Sequence, residues 1–294
     1  MKPKIIVTIP AYNEEKDIGR TINEIKKVMD KKYNYKILVV DDGSKDKTAE
    51  MAQKAGAAVF SHTSNKGLAE TFRTEMKKCL ELDADIIVHT DSDGQYFAED
   101  IPMLISKVEE GYDLVLGSRF KGNIRGMSFL KRMGNKAFAV VFRHLTKTRL
   151  TDTTTGFRAF KRSVAEDIKY INQFTYTQEQ IIRAAKQKFS ITEIPINTRK
   201  TRPSRLFKNP LEYAVKAWIN IFRIYRDYDP LKFFGVIGTL FFSLGFLIAL
   251  YFTYMHFFLG GIRGHEGLLF LMLLLIISGI QIIFFGFLAD MRKP

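Results

Sequence analysis

The chain has 294 residues, of which 46% are hydrophobic and 26% charged, with a formal net charge of +14. Those means conceal a division: residues 1–232 carry almost all the charge and 233–289 are almost wholly apolar, so no single composition class covers the chain. One cysteine, Cys79, excludes an intramolecular disulfide; it falls in a helical apolar pattern (Leu68, Phe72, Met76, Cys79) and is expected to be a small core residue.

The first part of the chain alternates strand and helix. Ile5–Ile9 is an apolar, β-branched run ending at Pro10, too short for a signal-peptide core. Ile18, Ile22, Ile25 and Val28 or Met29 predict a helix, and Ile37–Val40 a second strand ended by Asp41-Asp42-Gly43-Ser44. Thr48–Ala55 reads as helix and Ala57–Phe60 as a short strand, and Asn65-Lys66-Gly67 opens a helix reaching about Leu82. Ile86–His89 is a strand ended by Asp91-Ser92-Asp93-Gly94, followed by a helix over Ile101–Glu110 and a strand over Leu114–Leu116. Continuous apolar strands between amphipathic helices predict an α/β fold with a mostly parallel sheet covered on both faces. Ligands of such sheets bind beyond the carboxyl ends of the strands. Tyr12-Asn13-Glu14, Asp41-Asp42 and Asp91-Ser92-Asp93 all stand at those ends and are expected to face one crevice.

Between Gly117 and Arg205 the pattern is less regular, although Phe129, Met133, Ala137, Val140 or Val141 and Leu145 suggest a helical stripe. Leu211, Val215, Trp218, Phe222 and Tyr225 step by four and three, with Lys216, Arg223 and Arg226 off that stripe, and predict an amphipathic helix lying in a membrane interface. Phe233–Phe258 and Gly267–Ala289 are 26 and 23 residues without a charge. Each exceeds the roughly 20 residues that cross a bilayer. The expected organisation is a catalytic domain over 1–205, a juxtamembrane helix over 206–232 and a transmembrane hairpin over 233–289. Basic residues before Lys232 and at Arg292-Lys293 flank the same side of that hairpin, which predicts a cell-membrane protein with its large domain and C-terminus in the cytoplasm. No Asp, Glu, Lys or Arg lies within either span, which argues against an ion path through them.

The excess charge is local. Arg119–Arg149 holds nine Lys/Arg and no acid, and Arg199–Lys232 holds nine against Glu212, Asp227 and Asp229. Localised basicity points to an anionic partner. Adjacent spans make that an anionic membrane surface, and with no nucleic-acid module in the sequence no nucleic acid is expected.

Thr90-Asp91-Ser92-Asp93-Gly94-Gln95 carries the chemistry. Two carboxylates two apart at a strand end can hold Mg²⁺ or Mn²⁺ bridging to substrate phosphates. With Ile9-Pro10-Ala11-Tyr12-Asn13-Glu14 and Val40-Asp41-Asp42-Gly43-Ser44 in order before it, and Gly117-Ser118-Arg119 after it, the sequence resembles family 2 glycosyltransferases of the glycosyltransferase-A (Rossmann-like) fold. Within that family it is similar to the polyprenyl-phosphate transferases of the dolichol-phosphate mannosyltransferase kind, over residues 4–230. Thr155-Gly156-Phe157-Arg158-Ala159-Phe160 and Glu193-Ile194-Pro195-Ile196 add to the likeness. The resemblance implies that Pro10, Tyr12, Glu14, Val40 and Asp42 hold the nucleoside of a nucleotide-sugar donor, that Asp91 and Ser92 contact the nucleotide, and that Asp91, Asp93 and Gln95 hold the metal. Relatives often carry Gly-x-Ser-Lys where this chain has Pro203-Ser204-Arg205, so Arg205 stands in for Lys and, with Arg202, is expected over the donor diphosphate. Which of Arg199, Lys200 and Arg202 is the other basic ligand stays open.

A lipid phosphate is already anionic, so it needs charge screening rather than a base. Arg119 and Arg132 are assigned to the acceptor phosphate, and these two with Asp93 are the residues expected to carry the reaction. Inverting transfer of mannose from GDP-mannose to a polyprenyl (dolichyl) phosphate is the implied reaction, with UDP-glucose as the alternative donor. A nucleotidyltransferase is disfavoured because Pro10–Glu15 is acidic and lacks glycine, and a non-catalytic scaffold because Asp91, Asp93 and Gln95 are all present. His62, His89 and His144 lack metal-ligand spacing and read as structural. Nothing in the sequence specifies an oligomeric state.

Overall fold

The computed structural model describes residues 2–122, 133–134, 136, 139–140, 142–143, 146–167, 176–199, 219, 222–223, 226–258 and 264–291. The chain divides into two compact units, Met1–Tyr213 and Ala214–Pro294.

In the first unit, strands β1 (Lys4–Ala11), β2 (Asn34–Asp41), β3 (Ala58–Ser61), β4 (Ile86–His89) and β5 (Leu114–Ser118) alternate with helices α1 (Ile18–Met29), α2 (Thr48–Lys54), α3 (Leu68–Glu81) and α4 (Ile101–Glu109). Then come β6 (Arg158–Lys161), α5 (Arg162–Asp167), α6 (Tyr176–Lys186) and β7 (Ile191–Pro195). The sheet order is β3-β2-β1-β4-β6-β5-β7. All neighbours run parallel except β6, which is antiparallel to both β4 and β5. The sheet is therefore mostly parallel, as predicted. The apolar runs of β1 and β4 become fully buried strands, and Ile18, Ile22, Ile25 and Met29 form the buried face of α1 against them. Removing such side chains from water stabilises the unit by about 1.5–3 kcal/mol each.

Of the stripe read over 129–145, Met133 and Val140 are among the described residues; both are helical and exposed, whereas Ala139 and Phe142 are buried. Leu68, read as part of the apolar face of α3, is also exposed, whereas Phe72, Met76 and Cys79 are buried. Leu68 is the first residue of its helix, where the chain is still entering from Gly67.

The second unit contains α7 (Pro230–Phe258) and α8 (Glu266–Met291), both long and apolar enough to cross a membrane. Only 11% and 6% of their apolar windows are buried, so they are not the core of a soluble domain. They pack antiparallel through glycines. A Cβ on Gly238 would lie 2.6 Å from the Gly279 carbonyl oxygen, one on Gly245 2.7 Å from Ile276 and one on Gly286 3.0 Å from Phe234. Of the predicted juxtamembrane stripe, only Phe222 is among the described residues; it is helical and exposed.

Candidate active site

Parallel pairing sets the carboxyl ends of β1, β2 and β4 side by side, with Ala11 opposite Asp41 and Thr8 opposite His89. The loops after β1 and β2 are laced together. Asn13 N–H donates to Ser44 Oγ (2.9 Å), Lys45 N–H to Asn13 Oδ1 (2.9 Å), Glu14 N–H to Thr48 Oγ1 (2.7 Å) and Lys47 N–H to Glu15 Oε2 (3.1 Å). Asn13 adopts φ 53°, a left-handed conformation that Asn tolerates better than most residues. Tyr12 is exposed above these loops, while Pro10 and Glu14 are buried. Val40 has no exposed surface.

Asp42 is a structural hub as well as a candidate ligand. Its Oδ1 lies 2.8 Å from His62 Nδ1 and accepts from Lys66 N–H (2.9 Å), and its Oδ2 accepts from Gly67 N–H (2.8 Å). His62 Nε2 is in turn 2.9 Å from Thr74 Oγ1. One carboxylate thus ties the end of β2 to the end of β3 and to the start of α3. A carboxylate offers about four acceptor positions, and three are used here.

The loop after β4 carries the acidic pair. Gln95 N–H donates to Asp93 Oδ1 (3.0 Å), turning the loop, and the buried Ser92 is held by Thr21 Oγ1 on its carbonyl oxygen (3.1 Å). Burial, then the neighbouring Asp93 charge, pushes the Asp91 carboxyl up to about 6, against the opposing pull of His89 and Arg119. The pair therefore concentrates negative charge that a cation would relieve. Behind it His89 is fully buried, with Nδ1 2.9 Å from the Gly156 carbonyl oxygen and Nε2 3.2 Å from Glu75 Oε2, close but not aligned as a hydrogen bond. Burial lowers its pKa, and the charge and proximity of Glu75 more than compensate, so the net direction is upward.

Arg119, at the end of β5, is paired rather than free. Its Nε donates to Asp152 Oδ2 (2.6 Å) and its Nη2 to Asp152 Oδ1 (2.9 Å) and Thr154 Oγ1 (2.7 Å). Burial opposes its charge, but the hydrogen bonds and charge of Asp152, followed by Tyr96 and Asp91, hold its pKa up. The loop that supplies Asp152 is fixed by Glu193 of β7, which accepts from Thr151 N–H and Thr151 Oγ1 (2.8 Å each) and lies 3.1 Å from Lys121 Nζ. Asp152, Glu193 and Glu75 carry no periodic sequence signal. Their partners are 33, 42 and 14 residues away respectively, and only the sheet order brings them together.

The Arg199 guanidinium stacks on Phe97 (4.3 Å to the ring centre) and pairs with Glu24 (2.7 Å), and the main-chain N–H of Arg199 donates to the Gln95 carbonyl oxygen (2.9 Å), beside the acidic loop. Arg132, Lys200, Arg202, Arg205 and His144 lie outside the described residues.

Among the described residues no three His, Cys, Asp or Glu side chains form a ready-made metal cage. The donor set of Asp91, Asp93 and Gln95 is all hard oxygen, and the two carboxylates repel. That combination fits a Mg²⁺ or Mn²⁺ ion that takes its remaining ligands from water and substrate phosphates.

Comparison with known proteins agrees with this architecture. Residues 6–169 match the model of the glycosyl transferase family 2. The chain is 32% identical to the UDP-N-acetylglucosamine–dolichyl-phosphate N-acetylglucosaminyltransferase of Methanococcus voltae, over 68% of this chain and 87% of that one. It is also 32% identical to the dolichol-phosphate mannosyltransferase of Pyrococcus furiosus, over 80% of this chain and 68% of that one. Among solved structures, it superposes with a TM-score of 0.60 on the glucosyl-3-phosphoglycerate synthase of Mycobacterium tuberculosis in complex with Mn²⁺, UDP and glucosyl-3-phosphoglycerate. That match has 20% identity and covers 74% of this chain and 80% of that one. The fold of the first unit is the glycosyltransferase-A arrangement predicted from its motifs.

Proposed function

The chain belongs to glycosyl transferase family 2, and on that premise we propose that it transfers a hexose, first of all mannose from GDP-mannose, to a polyprenyl phosphate at the cytoplasmic face of a membrane. The observation that carries the reading is the Asp91–Asp93 pair following β4 and the buried Arg119 following β5, at the carboxyl ends of two strands that flank β6 and run the same way, in a chain that also carries two apolar helices of membrane-spanning length. Relatives whose names include dolichyl phosphate support the acceptor class.

In the proposed reaction a phosphate oxygen of the lipid forms a bond to the anomeric carbon as the bond from that carbon to the donor diphosphate breaks. The sugar inverts and the nucleoside diphosphate leaves. The acceptor is ionised at neutral pH, so no side chain need remove a proton; repulsion between two anions is the barrier to overcome. Asp91, Asp93 and Gln95 would hold the divalent metal, which supplies positive charge to the leaving diphosphate. Pro10, Tyr12, Glu14, Val40, Asp42 and Ser92 would seat the nucleoside, with Arg202 and Arg205 on the diphosphate and Arg119 and Arg132 on the acceptor phosphate. Asp152 fixes the plane and direction of Arg119, so the guanidinium is already oriented before substrate arrives. Residues 1–205 would be the catalytic domain, 206–232 an interfacial helix on an anionic membrane surface and 233–289 the anchor.

A UDP-sugar donor is the second reading, favoured by the Methanococcus voltae relative, whose name specifies UDP-N-acetylglucosamine. The deciding experiment incubates purified protein with polyprenyl phosphate, Mn²⁺ or Mg²⁺ and a panel of radiolabelled GDP- and UDP-sugars. Label in the organic phase with GDP-mannose alone supports the first reading, and label with a UDP-sugar alone supports the second. No organic-phase label from any donor would overturn both.

A further inference from the structure

The acidic pair has a support behind it that the reaction does not itself require. Gly156 precedes β6, and a Cβ placed on it would lie 2.8 Å from Asp91 Oδ1 and 3.3 Å from Asp91 Cγ and Oδ2. The main chain at 156 is therefore the wall on which the Asp91 carboxylate rests. That wall is held from both sides. Its carbonyl oxygen can only accept, so His89 Nδ1 carries the hydrogen that reaches it at 2.9 Å. Its N–H donates to the hydroxyl oxygen of Tyr96 at 3.3 Å. His89 and Tyr96 flank the acidic loop in sequence, so the loop grips its own backing through a residue 60 and 67 positions further on.

The grip is fixed in turn. His89 has no exposed surface; Glu75, also fully buried, sits 3.2 Å from its Nε2, and Glu75 Oε1 accepts from Thr8 Oγ1 at 2.9 Å. The rings of Phe72 and Tyr176 lie 5.1 and 5.6 Å from the imidazole. Tyr96 stacks on Phe157 with ring centres 5.0 Å apart and planes 11° from parallel. Neither ring can swing without disturbing the core.

We propose that His89 and Tyr96 are positioning residues for the metal-binding carboxylate, acting on Asp91 through the main chain of Gly156. The proposal rests on the reading of Asp91 as a metal ligand. A carboxylate that must meet a small ion with little tolerance for misplacement gains from a rigid backing. Loss of such outer contacts typically weakens metal affinity about 10–100-fold.

The two nitrogens of His89 give a test that a merely structural role would not satisfy. Asn places its amide near the Nδ1 position and can keep the bond to Gly156. Gln extends to the Nε2 position and keeps the contact with Glu75 while losing Gly156. Mn²⁺ is titrated into the full chain in detergent, with saturating GDP and again with UDP, and free ion is read from its paramagnetic resonance signal. His89→Gln and Tyr96→Phe are expected to weaken Mn²⁺ binding at least about tenfold, and His89→Asn to restore it to near the parent value. Transfer at saturating Mn²⁺ should recover most of the parent rate in His89→Gln and Tyr96→Phe. If the His89 variants do not fold, Tyr96→Phe, which keeps the ring stack, decides alone. Parent-like Mn²⁺ affinity in folded Tyr96→Phe and His89→Gln would overturn the positioning role. Asp91→Asn run in parallel separates the two readings: parent-like affinity there removes the metal assignment itself.

Discussion

The two units bury polarity in opposite ways. The first encloses Glu75, His89, Asp152 and Arg158 with no exposed surface, and it does so by giving them partners drawn from several strands and helices. In the second, the apolar windows of the two long helices are only 11% and 6% buried, and the glycines between them meet main chain and aliphatic carbon of the facing helix. The difference follows from the surroundings each unit is built for. A charge removed from water is tolerable only when paired and hydrogen-bonded. A helix facing hydrocarbon gains nothing from apolar burial against another helix, so close van der Waals approach through small residues does the holding. Interactions in the first unit are accordingly specific and costly to break singly, and those in the second are diffuse.

The sharpest way to break this contrast is Asp93→Ala. If the two carboxylates at the end of β4 exist for a metal rather than for the fold, transfer to lipid should fall by about 100–1,000-fold while the melting temperature stays near that of the parent. Turnover that survives both the substitution and a chelator would remove the metal from the reaction. Asp152→Ala probes the opposite case. It strands the Arg119 guanidinium in a site where its charge has lost its bidentate partner, and breaking a buried pair costs about 3–5 kcal/mol. Denaturant unfolding should show that loss; a cost below about 1 kcal/mol, the scale of an exposed pair, would mean that Arg119 relaxes into water. Arg119→Ala is expected to raise the KM for lipid acceptor more than that for the donor, and an equal rise in both would move Arg119 to the donor side.

Asp91 tests the cost of the arrangement directly. Its carboxyl holds a proton up to about 6 in the fold, against 3.8 ordinarily, first through burial and then through Asp93. The raised value means that stability present at low pH is lost as pH rises from about 4 through about 6, and the full cost stands at neutral pH. Asp91→Asn, which mimics the protonated form, should therefore gain on the parent across that window in metal-free buffer. The gain should be on the order of 3 kcal/mol above pH 6. A difference independent of pH would show that Asp91 ionises freely.

The smallest expected effect lies in the other unit. Gly279→Leu places a side chain where a Cβ alone would meet Phe242 N at 2.6 Å. Forcing such a contact apart costs about 1–3 kcal/mol. Denaturant titration of the hairpin in detergent should show that loss as an earlier separation of the two helices. Affinity for nucleoside diphosphate should be unchanged, because the substitution touches only the hairpin. Loss of nucleotide binding would show that the units are not energetically separate.

Much of this molecule is written in local pattern. Strands β1 to β5, the amphipathic face of α1 and the two long apolar helices all follow from the spacing of Ile, Val, Leu and Phe, because periodicity of burial is imposed along a single element. The acidic pair was legible for a related reason: in a parallel sheet, polar residues at a strand's carboxyl end face the crevice wherever the strand sits. Nothing comparable marks Asp152 as the partner of Arg119, Glu193 as the anchor of that loop, or Gly156 as the backing of Asp91. Nor did periodicity announce β6, whose insertion antiparallel between β4 and β5 creates those neighbours. A hydrogen bond or ion pair spanning tens of residues depends on the order of strands in the sheet. That order is settled by how the whole chain packs, so only the tertiary structure could decide which of the basic and acidic residues are spent on each other and which face the site.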